Sequence, residues 1–223
     1  MKFNKSNFER YAKEELCCLC DKSFTNLEKS ESPDFQSCEL NVGIEVTRGL
    51  DRKICEKYSI IDGNLKSVES LKILKEKYKN SKFKEDFDKN LGILSGGIPF
   101  FRYEQDISSI IDNLKDCIQK KTYMLNTNYV HFENNYLFIF GENGTLKLKD
   151  MEQIFEYYKA DDKNLKFDII FIDVRDRLFV LNFKDDKIEE KELNEAIIEK
   201  CKKYALTNND INKWEKNSSY CVL

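Results

Sequence analysis

Ser32-Pro33-Asp34-Phe35 and, shortly after it, Gly43-Ile44-Glu45-Val46-Thr47 are the stretches that decide how this chain is read. Each predicts a short apolar strand carrying one carboxylate. Asp34 follows a proline, and Glu45 sits inside Val42-Gly43-Ile44-Glu45-Val46-Thr47, a run rich in β-branched residues. Side chains alternate along a strand, so Glu45 and Thr47 face one way and Ile44 and Val46 the other. An acid inside an apolar strand costs several kcal/mol to desolvate. A second carboxylate beside it raises that cost. A divalent cation between Asp34 and Glu45, ligated by oxygen alone in the manner of Mg²⁺, resolves the conflict. The residues equally allow Asp34 to cap a turn and Glu45 to face water from an edge strand.

With 223 residues the chain can bury roughly 70% of its unfolded surface in one core. A single domain is therefore expected, 1–223, with a helical insertion over about 51–104 and a polar tail over about 205–223. The net charge of −3 argues against a uniformly basic nucleic-acid coat but leaves room for a local basic groove. No apolar run approaches the roughly 18 residues of a membrane helix, and no apolar signal core follows the first residues. A cytoplasmic location and no membrane partner are expected. Of eight cysteines, Cys17, Cys18 and Cys20 cluster and the rest are scattered. With His131 the one histidine, neither structural zinc nor a catalytic triad is expected.

Asn4 to Asp21 predicts an amphipathic helix with Phe8, Tyr11, Ala12, Leu16 and Leu19 on one face. Glu15 falls within about 20° of the centre of that face, where it either snorkels at the core edge or joins the site of Asp34 and Glu45. Strands are expected at Ser23–Leu27, Asp34–Leu40 and Asn41–Thr47. Within Leu65 to Asn90, the run from Lys72 to Lys89 mixes seven lysines and four acids with Tyr78, Phe83 and Phe87. Such a mixture reads as a phosphate-gripping face or, with the acids diluting the patch, as a solvated helix anchored by apolar residues. Gly92 to Pro99 predicts a loop without the Lys-Ser/Thr of a phosphate-binding loop.

Asp106 to Leu125 predicts a helix with Ile107, Ile110, Ile111, Leu114 and Ile118 inward. Lys121 lies about 40° from that axis, and Lys120 and Lys115 project more to the sides. Further on, Tyr136–Phe140, Phe167–Val174 and Leu178–Phe183 predict strands, and Leu148–Lys159 and Glu189–Tyr204 predict helices. Asp173 is expected to cap the turn at Arg175-Asp176-Arg177.

Ser-Pro-Asp-Phe followed by Gly-Ile-Glu-Val-Thr resembles the PD-(D/E)XK nuclease superfamily, in a variant found among bacterial proteins. The resemblance implies a restriction-endonuclease-like α/β fold: a mixed central sheet flanked by helices, with a helical insertion. It implies that Glu15, Asp34, Glu45 and the Val46 carbonyl hold Mg²⁺ or Mn²⁺ for phosphodiester hydrolysis of nucleic acid, DNA favoured. The lysine that the family carries two residues after the strand acid is Thr47 here. Some members place that lysine on a nearby helix, which makes Lys121 the candidate substitute and Lys120 the second. Thr47 would then hydrogen-bond the water or a phosphate oxygen. Alternatively the Lys121 stem covers the core while its charge reaches water. The departure at Thr47 is also the best argument for a catalytically inactive module of the same fold that binds nucleic acid or protein. The oligomeric state stays open, a homodimer included.

Overall fold

Leu137 to Phe140, Ile170 to Ile172 and Leu178 to Leu181 are continuous apolar runs, and continuous runs suit strands buried on both faces. The computed structural model describes residues 5–49, 67–93, 99–101, 106–141, 145–161 and 165–206. The protein is α/β, with a mixed seven-stranded sheet flanked by helices. In chain order the elements are α1 (Lys5–Leu19), β1 (Glu28–Lys29), β2 (Phe35–Ser37), β3 (Val42–Arg48), α2 (Val68–Tyr78), α3 (Lys84–Asn90), β4 (Leu91–Ile93) and β5 (Pro99–Phe101). Then follow α4 (Ile107–Thr127), β6 (Asn134–Phe140), α5 (Leu148–Lys159), β7 (Ile169–Asp173), β8 (Arg177–Asn182), β9 (Lys187–Glu192) and α6 (Glu195–Ala205). The sheet order is β1-β2-β3-β6-β7-β8-β9; β3, β6 and β7 run parallel and the outer pairs antiparallel.

Two compact units divide the chain: residues 1–49 with 114–223, and residues 50–113. In the first unit, Ala12 and Leu16 of α1 join Ile44, Val46, Phe138, Phe140 and Phe171 in one buried cluster. Each such side chain contributes roughly 1.5–3 kcal/mol by leaving water. In the second, Leu71, Leu74, Phe83, Phe87 and Leu91 form a separate small core, with Tyr78 against it. Its aromatic rings are thus spent on packing, Tyr78 meeting Phe87 edge-on at 5.5 Å and Phe83 lying stacked beside Phe87 at 5.9 Å. This unit is not purely helical: β4 and β5 pair as an antiparallel ribbon that takes in Gly92, Ile93 and Pro99 of the expected loop.

Local hydrogen bonding overrides several expectations. Ser23–Leu27 is not a strand but a 3₁₀ turn over Lys22–Asn26, because the Asp21 carboxylate accepts the Ser23 N–H at 2.8 Å and sets the turn. The helix expected over Glu189–Tyr204 splits in two. Lys187–Glu192 pairs with β8 as a charged, partly exposed edge strand, joined to it through a turn with Asp186 at φ 52°. The helix starts only at Glu195, where the Asn194 side chain accepts the Ile197 N–H. The tail from 207 on and residues 50–66 of the expected insertion lie outside the described residues. Among the described residues, no helix is long and apolar enough to cross a membrane.

Candidate acid–lysine site

β2 and β3 pair with Phe35 opposite Ile44, so one step further along the antiparallel register Asp34 stands opposite Glu45. Pairs at that position bring side chains on one face within reach. Both acids are buried, with 1% and 4% exposure. β2 ends before it can cover the Val46 N–H, and the Asp34 Oδ2 accepts that N–H at 2.9 Å in place of a ladder partner. In an extended strand a residue's N–H and C=O point to the same edge. The Val46 carbonyl therefore faces the edge on which Asp34 lies.

The helix supplies the opposing charge through a match of pitch. Glu45 and Thr47 are two residues apart on a strand, about 6.6 Å. Cys117 and Lys121 are four apart on α4, about 6 Å. Lys121 Nζ sits 2.6 Å from Glu45 Oε1 and 3.4 Å from the Tyr129 hydroxyl. Thr47 lies near the Cys117 thiol, which donates to the Arg48 carbonyl at 3.7 Å. Lys120 is exposed. Burial pushes the Glu45 carboxyl above its ordinary range, against the pull of Lys121. Its Oε2 is buried and has no hydrogen-bond partner among the described residues.

Lys5 Nζ lies 2.9 Å from Asp34 Oδ1 and 3.5 Å from Glu9 Oε1, and Lys29 Nζ lies 2.8 Å from Glu9 Oε2. The hydrogen bond to Asp34 raises the Lys5 pKa, so this ammonium stays charged. Glu9 is only 3% exposed, and the cluster is one of three acids linked to three lysines.

Sequence reasoning thus named Asp34, Glu45 and Lys121, which the fold gathers, and Glu15, which it does not. Glu15 is fully buried further along α1, where the neighbouring titratable groups are Asp173 and Cys18 rather than the strand acids. Both its oxygens lack a hydrogen-bond partner among the described residues, and burial drives its carboxyl well above the ordinary range, which favours the neutral acid. The helix carboxylate near the strand acids is Glu9, with Lys5 and Lys29. Hydrophobic periodicity passes over Glu9 because lysines, not apolar neighbours, surround it. The one sequence trace was the i, i+4 spacing of Lys5 and Glu9. Asp173 caps its turn, Oδ1 accepting the Arg175 N–H at 2.9 Å.

The oxygens at this site suit a hard divalent cation. Glu45 offers the orphaned Oε2, Asp34 retains lone pairs beyond those already used, and the Val46 carbonyl faces the same edge. Lys5, whose side chain is 74% exposed, can yield its place to an ion at little packing cost. No three His, Cys, Asp or Glu side chains gather at ion-holding distance among the described residues. The protein donors number two carboxylates and one carbonyl, a set that Mg²⁺ completes with water. Compared with protein-family models, curated proteins and solved structures, the chain finds no significant match.

Proposed function

We propose that the chain is a metal-dependent phosphodiesterase of restriction-endonuclease-like fold that cuts nucleic acid, DNA being the favoured substrate. What carries this reading is the placement of Asp34 across from Glu45 with Lys121 Nζ 2.6 Å from the latter. The order of elements supports it: a helix, antiparallel strands, then an acid at the centre of a strand. Asp34, Glu45 and the Val46 carbonyl would hold Mg²⁺ or Mn²⁺. Such an ion lowers the pKa of its water and offsets charge on the phosphate. The chain's own groups do the rest. The Val46 N–H fixes the rotamer of Asp34, and Glu45 with Tyr129 positions the Lys121 ammonium. A cation on a four-carbon stem then reaches a phosphate oxygen placed against the strand edge. Lys5 sits where it can steady a second oxygen once it leaves Asp34.

A second reading rests on a specific contact. Thr47 stands where the family carries its lysine, and Asp34 and Glu45 are each already paired with a lysine, Lys5 at 2.9 Å and Lys121 at 2.6 Å. That arrangement suits a module that keeps the fold and binds nucleic acid without cutting it. Incubation with plasmid, single-stranded DNA and RNA, in Mg²⁺ or Mn²⁺ against EDTA, separates the two. Cleavage abolished by EDTA and by Asp34→Ala is the expected result. Binding without cleavage favours the module, and neither binding nor cleavage removes both readings.

A further inference from the structure

On the register of the parallel strands, Arg48, Phe140 and Asp173 stand in a row at the carboxyl ends of β3, β6 and β7. Over that end lies a cavity of about 380 Å³, within the range of small-molecule pockets, about 300–1,000 Å³. The carboxyl edge of parallel strands is where open α/β sheets bind their ligands. None of the cavity's residues belongs to the acid–lysine cluster.

We infer that this cavity binds a nucleotide unit, a planar ring carrying a phosphate. Its apolar wall is aromatic: Phe8 meets Phe140 edge-on at 5.0 Å, Tyr11 meets it at 5.9 Å, and Ile198 of α6 closes the far side. Flat rings offer a flat ligand contact area at small entropic cost. Polar groups sit where a base or sugar edge needs them. The Asp173 carboxylate, at the end of β7, accepts N–H or O–H donors. The Tyr11 hydroxyl is half-buried and makes no hydrogen bond among the described residues.

Two cations mark the place of the phosphate. Arg175, two residues after Asp173, is in a left-handed conformation, φ 74°, its own N–H tied to Asp173, and its exposed guanidinium has no ion-pair partner among the described residues. Lys202, one turn beyond Ile198 on α6, adds a second positive group and is shared with Glu199 at 2.9 Å. An Arg fork beside an aromatic wall fits a phosphate monoester next to a ring.

Calorimetric titration of the full chain in EDTA, with AMP, GMP, adenosine and inorganic phosphate, tests this site apart from any hydrolysis. Saturable binding of a nucleotide is expected. Arg175→Glu should weaken it at least about tenfold, the scale of one charge-assisted contact, and should leave nucleoside binding unchanged. Ile198→Trp should fill the cavity and abolish both, while Asp34→Ala should leave nucleotide binding intact even if it removes cleavage. A 5′-phosphorylated dinucleotide added as competitor assigns the source. Competition points to a strand end and its absence to a free mononucleotide, and either outcome supports the ring-and-phosphate chemistry. No saturable nucleotide binding, or equal binding by Arg175→Glu protein, overturns the inference. Arg175 is exposed on a turn, so the test stands even if Ile198→Trp protein fails to fold.

Discussion

Glu9, Glu14 and Glu15 lie within two turns of α1 and are all buried, yet each meets a different fate. Glu9 is bracketed by Lys5 and Lys29, and Glu14 lies 2.6 Å from Lys200 Nζ. Glu15 has no hydrogen-bond partner among the described residues, and its burial favours the protonated form, which avoids the desolvation cost. In the unfolded chain that carboxyl titrates near 4.5 and in the fold well above it. Over the interval between, the folded protein retains a proton the unfolded chain has lost, so stability falls as pH rises through it. Glu15→Gln should flatten that decline and be at least as stable as wild type at pH 8. Urea unfolding at pH 5, 6.5 and 8 measures it, and parallel profiles for the two proteins would refute the neutral-acid assignment. Burial raises the Glu45 carboxyl pKa as well, but there Lys121 pulls against it at 2.6 Å and offsets part of the cost. Lys121→Met should cost about 3 kcal/mol by stranding a buried carboxylate, and Glu45→Gln in the same background should return most of it. Additive losses in that double-mutant cycle would mean the pair is not coupled. Asp34, Glu45 and Lys121 were legible because a charge in an apolar pattern announces itself. Glu9 was not, because ion pairs with Lys29, twenty residues away, leave no periodic trace.

At the scale of elements, the close approach of β3 to its surroundings is set by Gly43. A Cβ there would meet Phe132 Cδ2 at 2.5 Å and Pro33 Cγ at 2.8 Å. Neither ring can swing away freely, because Pro33 leads into Asp34 and Phe132 precedes β6. Gly43→Ala should therefore destabilise the fold by about 1–3 kcal/mol and weaken metal binding by moving Asp34. A variant as stable as wild type would show that this contact is slack. The β9–α6 boundary depends on Asn194, whose cap is worth about 1 kcal/mol. Asn194→Ala should lower the melting temperature by a few degrees, on the order of what that loss implies for a chain of this size. An unchanged melting temperature would place the helix start elsewhere. The long apolar runs of β6, β7 and β8 and the heavily patterned α4 and α5 could be read from periodicity. Lys187-Ile-Glu-Glu-Lys-Glu could not, since its strand form comes from pairing with β8 and from the Arg177–Glu190 bridge at 2.9 Å.

For the whole molecule, the sequence conveyed an α/β body with an inserted segment but not how the insertion is built. Its lysines and aromatics gave two readings, and only packing shows that Phe83 and Phe87 face a core of their own. The expected third ligand was misplaced for a related reason: a helix face that looks uniform in sequence contacts the sheet, β2 and α6 at different heights. In the first unit stands a buried acid pair, one of whose oxygens has no hydrogen-bond partner among the described residues. Titrating Mn²⁺ into the 223-residue chain by calorimetry tests the consequence most directly. A single saturable site, weakened at least about tenfold by Asp34→Ala and by Glu45→Gln, is the predicted result. No heat of binding, or binding that both variants retain in full, would contradict it.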